Sequence, residues 1–138
     1  MTRFPTAAHL ASWAGMCPGN NESAGKRKSS KTRKGDAWLR AALIEAAHAS
    51  SRARNSYLAA QYHRLITRRG KKKAVVAVGH TILTIAYHVL SDAVEYADLG
   101  PHYFDERDEQ HVTSRLVHRL EALGYSVQLQ RPTACPAA

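Results

Sequence analysis

Residues 71–90, KKKAVVAVGHTILTIAYHVL, decide how the rest of the chain is read. Three lysines open the stretch. Val75, Val76, Val78, Ile82, Leu83, Ile85, Ala86, Val89 and Leu90 follow. On a helix those positions cover most of the circumference, and a helix apolar nearly all round is buried among others. Gly79, His80, Thr81, Thr84 and His88 interrupt the run, which speaks against a membrane span. The expectation is a helix from Lys71 to about Asp92 at the centre of a bundle.

Working back toward the start, Gly70 ends a helix that carries Tyr57, Leu58, Tyr62, Leu65 and Ile66, with Asn55 as its cap. Asp36 is a natural N-cap for WLRAALIEAAHASSRAR, where Leu39, Ala42, Leu43 and Ala46 form a helical stripe. Residues 6–14 read as a short helix capped by Thr6 and ended by Gly15. Leu10 and Trp13 share its face, and Phe4 is placed to staple onto it. Working forward, Gly100-Pro101 marks a turn. A last amphipathic helix runs from Asp105 to Leu123 with Gly124 as its cap. YSVQLQ (125–130) alternates in period two and allows one short strand. RPTACPAA reads as a frayed tail. The fold class is therefore mainly α, a small helical bundle with a long basic loop and at most one short C-terminal strand. Trp13, Trp38, Leu39, Leu43, Ile82 and Leu83 are the expected core. At 138 residues one domain is the default, spanning 1–125, with 126–138 as a flexible tail.

The loop is residues 16–35. It has few apolar positions and no period, and loops of that length are functional or disordered. Lys26, Arg27, Lys28, Lys31, Arg33 and Lys34 crowd into nine positions. Such a run repels itself until an anion neutralises it. With a formal net charge of +9, the partner this favours is a phosphate backbone. Ser29, Ser30, Thr32 and Gly25 add hydroxyl and backbone donors that suit phosphate oxygens. Arg68, Arg69, Lys71, Lys72 and Lys73 form a second cluster at a helix junction, and in a bundle the two clusters can share one side.

Ser23 stands at the edge of this charge, beside Glu22 and before Ala24-Gly25. A serine nucleophile needs a base or a field that favours its alkoxide. Lys26 and Arg27 supply a field, and Gly25 lets a phosphate approach the backbone closely. Metal sites have weak support. Cys17 and Cys135 are far apart, and the eight histidines show no zinc-like spacing. His80 and His88 fall on one side of their helix and read as core or capping residues. Asp105, Glu106, Asp108 and Glu109 suit a helix start.

Four strings carry a resemblance. They are FPTAAHLASWAG (4–15), CPGNNESAGK (17–26), RKGDAWLRAAL (33–43) and RRGKKKA (68–74). Over about residues 3–125 the chain resembles the C-terminal half of bacterial insertion-sequence transposases. These carry an N-terminal RuvC-like DEDD domain and a C-terminal serine-bearing domain, and are described as bridge-RNA-guided recombinases. The resemblance implies a helix-hairpin-helix-like N-terminal segment that grips DNA backbone. It implies that Ser23 is the nucleophile, forming a transient phosphoserine with DNA. It implies DNA and a guide RNA as partners, a homo-oligomer, and a bacterial cytoplasmic setting without a membrane. Magnesium is implied only on the RuvC-like domain, so no cofactor is expected on this chain. Met1 falls where family members have already run through about two hundred residues of domain. A truncated or split product, inactive alone, is the expectation. Two other readings of the same residues stay open: a catalytically dead nucleic-acid-binding remnant, and a basic helical interaction module.

Overall fold

A computed structural model describes residues 3–19, 21–29 and 31–130. The hydroxyl of Ser30, Cys135 and the tail 131–138 lie outside the described residues, as does the side chain of Arg27. In chain order the elements are α1 (Ala7–Trp13), β1 (Asn21–Ser23), β2 (Lys26–Ser29), α2 (Ala37–Ser50), α3 (Tyr57–Arg69), α4 (Lys71–Asp92), α5 (Tyr103–Arg107) and α6 (Glu109–Ala122). They group into two compact units, Met1–Tyr103 and Phe104–Ala138.

In the first unit α4 is central and packs against α1, α2 and α3. Its inward residues are Ala74, Val75, Val78, Gly79, Leu83 and Tyr87. It is also the one helix among the described residues long and apolar enough to cross a bilayer. One core cluster joins Leu10, Ala11, Ala14, Met16, Leu43, Leu83 and Tyr87. A second joins Ala47, Tyr62, Ala74, Val75 and Val78, and Ile82 packs against both. Met16 is only 1% exposed, and burying such a side chain contributes about 1.5–3 kcal/mol. Gly79 makes room for it, since a Cβ there would lie 2.7 Å from Met16 Cε.

Several local signals hold. Thr6 caps α1 and accepts from the His9 N–H. Asp36 Oδ1 accepts from the Leu39 N–H at 2.7 Å and starts α2. Gly70, at φ 79°, separates α3 from α4. Other expectations are corrected. Trp38 is 88% exposed, because positions 38, 42, 45 and 49 lie on the face of α2 opposite Leu43 and Ala47. Trp13 is also mostly exposed and meets Phe4 at a tilt of 52°, with ring centroids 5.5 Å apart. Leu39 and Ile82 are partly buried against the core, and Leu43 and Leu83 are buried.

Asn55 does not cap α3. It sits at φ 55°, and the N-cap is Ser56, whose own side chain makes no cap bond. Asp98 does the capping from 41 residues away: Oδ1 accepts from the Tyr57 N–H at 2.9 Å. Asp98 also accepts from the Tyr96 hydroxyl and the Gly100 N–H.

In the second unit the expected single helix is two, α5 and α6. Asp108 breaks it by leaving helical geometry at φ −135°, ψ 44°, and its carbonyl begins α6 by accepting from Val112. Gly124, at φ 91°, follows the last turn of α6. Residues 125–130 form no strand.

Candidate functional site

The stretch read as a loop is organised as a hairpin. Ala24 (φ 49°) and Gly25 (φ 72°) are both left-handed, the two-residue turn whose twist matches paired strands. Ser23 pairs with Lys26 and Glu22 with Arg27, with an irregularity before Asn21 meets Ser29. Below the strands, the Gly19 N–H donates to the Lys31 carbonyl at 2.9 Å and Pro18 bridges to Thr32. The hairpin buries almost nothing of its own: residues 21–26 are all exposed.

Its neck is held instead. A Cβ on Gly35 would lie 2.3 Å from the Ala14 carbonyl carbon and the Gly15 nitrogen. Two glycines therefore let the strand entering the hairpin and the strand leaving it cross in contact with the bundle. Cys17 lies just inside this neck, and partial burial pushes its thiol pKa up, so it stays protonated at neutral pH.

Ser23 thus sits exposed at the tip, the last residue before the turn. Successive side chains of a strand point to opposite faces. Glu22 therefore faces away from the Ser23 hydroxyl, whereas Lys26, its partner in register, faces with it. Lys28 falls at the irregularity between the Glu22–Arg27 and Asn21–Ser29 pairs and has no partner in register. Glu22 is the single acidic residue between 16 and 35, so nothing else in the hairpin offsets the cations.

The second cationic cluster meets the base of the hairpin. A cleft of about 840 Å³ lies between them. Ser29, Lys31 and Thr32 line it from the hairpin side. Gln61, Leu65 and Arg69 line it from α3, and Lys72, Lys73, Val76, Ala77, His80 and Thr81 from α4. Lys31, Arg69, Lys72 and Lys73 are therefore brought to one place. Lys26, Lys28, Arg33, Lys34, Arg68 and Lys71 are exposed outside it, and Arg27 is placed by its backbone alone. Gln61, His80 and Thr81 were not singled out as site residues from sequence. The spacing 61-65-69 on α3 and 72-76-80 on α4 marks two facing stripes, but only the antiparallel packing of the pair shows that they face each other.

Residues 1–63 match the family model for transposases of the IS116/IS110/IS902 family. The matched segment contains α1, the whole hairpin, Ser23, α2 and the first half of α3. It supports an insertion-sequence transposase. No curated protein and no solved structure matches the chain.

No group of three or more His, Cys, Asp or Glu side chains converges among the described residues. His88 instead pairs with Asp92 on the surface at 3.0 Å. Asp105 and Glu106 fall in the first turn of α5 and Glu109 in that of α6, where negative charge is favourable.

Proposed function

We propose that this chain is the strand-handling, serine-bearing part of an insertion-sequence transposase. The observation that carries the reading is Ser23, exposed at the tip of a cationic hairpin and in register with Lys26, inside the segment that matches the transposase family. Lys26, Arg27, Lys28, Lys31, Arg33 and Lys34 grip phosphates along the hairpin. Arg68, Arg69, Lys71, Lys72 and Lys73 extend the grip over the α3–α4 junction.

In this reading Ser23 Oγ gives up its proton to water and forms a bond to a backbone phosphorus. The phosphorus–oxygen bond to the adjoining sugar breaks, and that sugar oxygen takes a proton and leaves as a hydroxyl. One phosphoester replaces another, so the reverse step rejoins a strand without a nucleotide cofactor. Lys26 stabilises charge on the phosphate as the bonds exchange. DNA is the substrate, a guide RNA and a second copy of the chain are partners, and a RuvC-like DEDD domain completes the enzyme in the bacterial cytoplasm.

The test combines the chain with a RuvC-like DEDD partner and DNA carrying an insertion-sequence end. The expected result is a covalent protein–DNA adduct that is lost in Ser23→Ala. An adduct that persists in Ser23→Ala sinks the assignment of the serine. A second reading rests on the cations gathered at the cleft alone: a binding module that holds nucleic acid without cutting it. That reading expects salt-sensitive binding and no adduct under any supplementation.

A further inference from the structure

Helix α4 outruns its neighbour α3. The two run antiparallel from Gly70, and Gln61 Nε2 meets Thr81 Oγ1 at 2.9 Å across the pair. At 1.5 Å per residue α3 is about 20 Å long and α4 about 33 Å, so about 13 Å of α4 has no α3 beside it. Those last turns do not become polar. Val75, Val78 and Ile82 share a core cluster with Leu58 and Tyr62 of α3, and the same stripe continues as Ile85 and Val89. An open groove of about 420 Å³ lies there. Ile82, Ile85, Val89 and Leu90 line it from α4, Leu58 from α3, and Tyr96 from the segment that follows α4. Leu90 is 67% exposed, and Val94, Tyr96 and Leu99 after it are each about half exposed. The Tyr96 hydroxyl is spent on Asp98 at 2.9 Å, so what the groove offers a visitor is hydrocarbon. Exposed apolar surface gathered in one place marks an interaction site.

The charge around the groove narrows what covers it. Residues 88–100 carry Asp92, Glu95 and Asp98 and no Lys or Arg, in a chain whose formal net charge is +9. His88, on the same turn of α4, pairs with Asp92 at 3.0 Å. Two copies of this acidic rim brought face to face repel, which speaks against a groove-on-groove pair, and an anionic lipid surface meets the same repulsion. The chain itself carries an element of the opposite character. Helix α6 buries none of its residues. Val112, Leu116 and Leu120 recur every four residues down one side, with Leu116 52% and Leu120 42% exposed. Arg115 and Arg119 border that stripe, and from Gln110 to Leu120 there is no Asp or Glu. Val112 to Leu120 spans about 12 Å of helix, close to the length of α4 left uncovered.

We propose that the groove at the end of α4 receives helix α6 of a second copy of this chain. Leu116 and Leu120 of one copy enter beside Ile85, Val89 and Leu90 of the other, and Arg115 and Arg119 lie against Asp92 and Glu95. Each copy offers one groove and one α6, so the exchange is reciprocal and closes as a two-fold pair. The proposal rests on the part of the reading above that makes a second copy a partner, and supplies the surface that reading lacked. It does not rest on the serine chemistry. The groove lies at the end of α4 opposite Lys71, Lys72 and Lys73, so pairing does not use the cations assigned to phosphate.

The experiment follows the full chain by sedimentation velocity over a range of concentrations, with no nucleic acid present. The wild type is expected to dimerise. Arg115→Glu with Arg119→Glu, and separately Asp92→Lys with Glu95→Lys, are each expected to weaken the dimer about 10-fold or more, because like charges then face each other. Mixed one to one, the two variants meet with opposite charges at both contacts and are expected to pair at wild-type strength. All four positions are exposed, so each variant should melt at the wild-type temperature, and a lost dimer is then not a lost fold. Leu116→Asp, also at an exposed position, is expected to leave the chain monomeric. A wild type that stays monomeric at every concentration overturns the second copy as a partner and this pairing with it. A dimer that neither reversal weakens, or two variants that ignore each other on mixing, overturns the surface but not the second copy. A monomeric wild type that binds vesicles of neutral lipid, and loses them in Leu90→Asp, overturns the pairing in favour of a lipid occupant. Strand binding and the Ser23 adduct, read on the monomeric Leu116→Asp chain, test the strand-handling reading separately.

Discussion

Arg40 donates Nη1 to the Gly15 carbonyl at 2.9 Å, across 25 residues of chain. The same nitrogen reaches the Arg33 carbonyl at 3.4 Å. One guanidinium on α2 thus ties together the backbone entering the hairpin and the backbone leaving it. This cation is structural, in a chain with a formal net charge of +9. Arg40→Ala leaves two carbonyls without a charged donor and is expected to cost about 1.5–3 kcal/mol in denaturant unfolding. Amide exchange at Gly19, whose bond to Lys31 closes the base of the hairpin, should quicken in the same variant.

Gly35→Ala should be worse. Its Cβ would fall 2.3 Å from two backbone atoms, which cannot move aside as a side chain can. A loss of about 3 kcal/mol or more is expected, read as a fall in melting temperature. Gly25→Ala meets no atom within 4 Å and carries only the strain of φ 72°, about 1–2 kcal/mol. The reverse order of losses would refute the crossing at the neck.

Ala24 pays the left-handed penalty without being glycine, at φ 49°. Ala24→Gly is expected to relieve about 1 kcal/mol of it and to tighten the hairpin. Hairpin cross-peaks between β1 and β2 in an NMR spectrum would strengthen.

Stability should fall at both ends of the pH scale through one pair. Asp98 is held below the usual carboxylate range, first because it accepts the Tyr57 N–H, then the Gly100 N–H and the Tyr96 and Ser56 hydroxyls. Folding therefore favours the ionised form. That contribution is complete above about pH 4, the unfolded value, and is lost as the pH falls through the lowered folded one. Tyr96 moves oppositely, pushed up to about 12 by partial burial and then by Asp98. Its contribution is complete below about pH 10 and is lost as the pH rises through about 12. In Asp98→Asn the acid arm should flatten, and the phenolate absorbance of Tyr96 should appear at lower pH than in the wild type. An unchanged phenolate titration would show that Asp98 does not govern Tyr96.

Lys72→Ala with Lys73→Ala should weaken binding to duplex and single strand alike. The slope of log affinity against log salt should become shallower by about 0.9 per lost phosphate contact on duplex and about 0.7 on single strand. Ser23→Ala should leave both affinity and slope unchanged, since one neutral hydroxyl releases no counterions. A slope that ignores the lysines would remove them from the interface.

What could be read from the sequence was local. Thr6, Asp36, Gly70 and Gly124 announce helix ends through their own backbone chemistry, and each stands where it was expected. The cap of α3 was hidden because its carboxylate comes from Asp98, far along the chain. The hairpin was hidden for a different reason. Strands betray themselves by alternating apolar and polar residues, and this one is polar on both sides. Trp38 was misplaced because apolar character alone does not say which side of a helix a residue occupies. Among the described residues, Lys31 alone of the loop cations singled out lines the cleft with Arg69, Lys72 and Lys73. Gln61 was not foreseen there, since its place in the cleft depends on how α3 and α4 pack.

The touching glycines at the neck have a consequence for how such a protein can change over time. Because both legs of the arm leave the scaffold side by side, the arm can gain or lose residues in pairs without disturbing what lies beneath. The length of the arm becomes adjustable independently of folding, and a longer or shorter arm could be grafted at Gly15 and Gly35 as an interchangeable cassette.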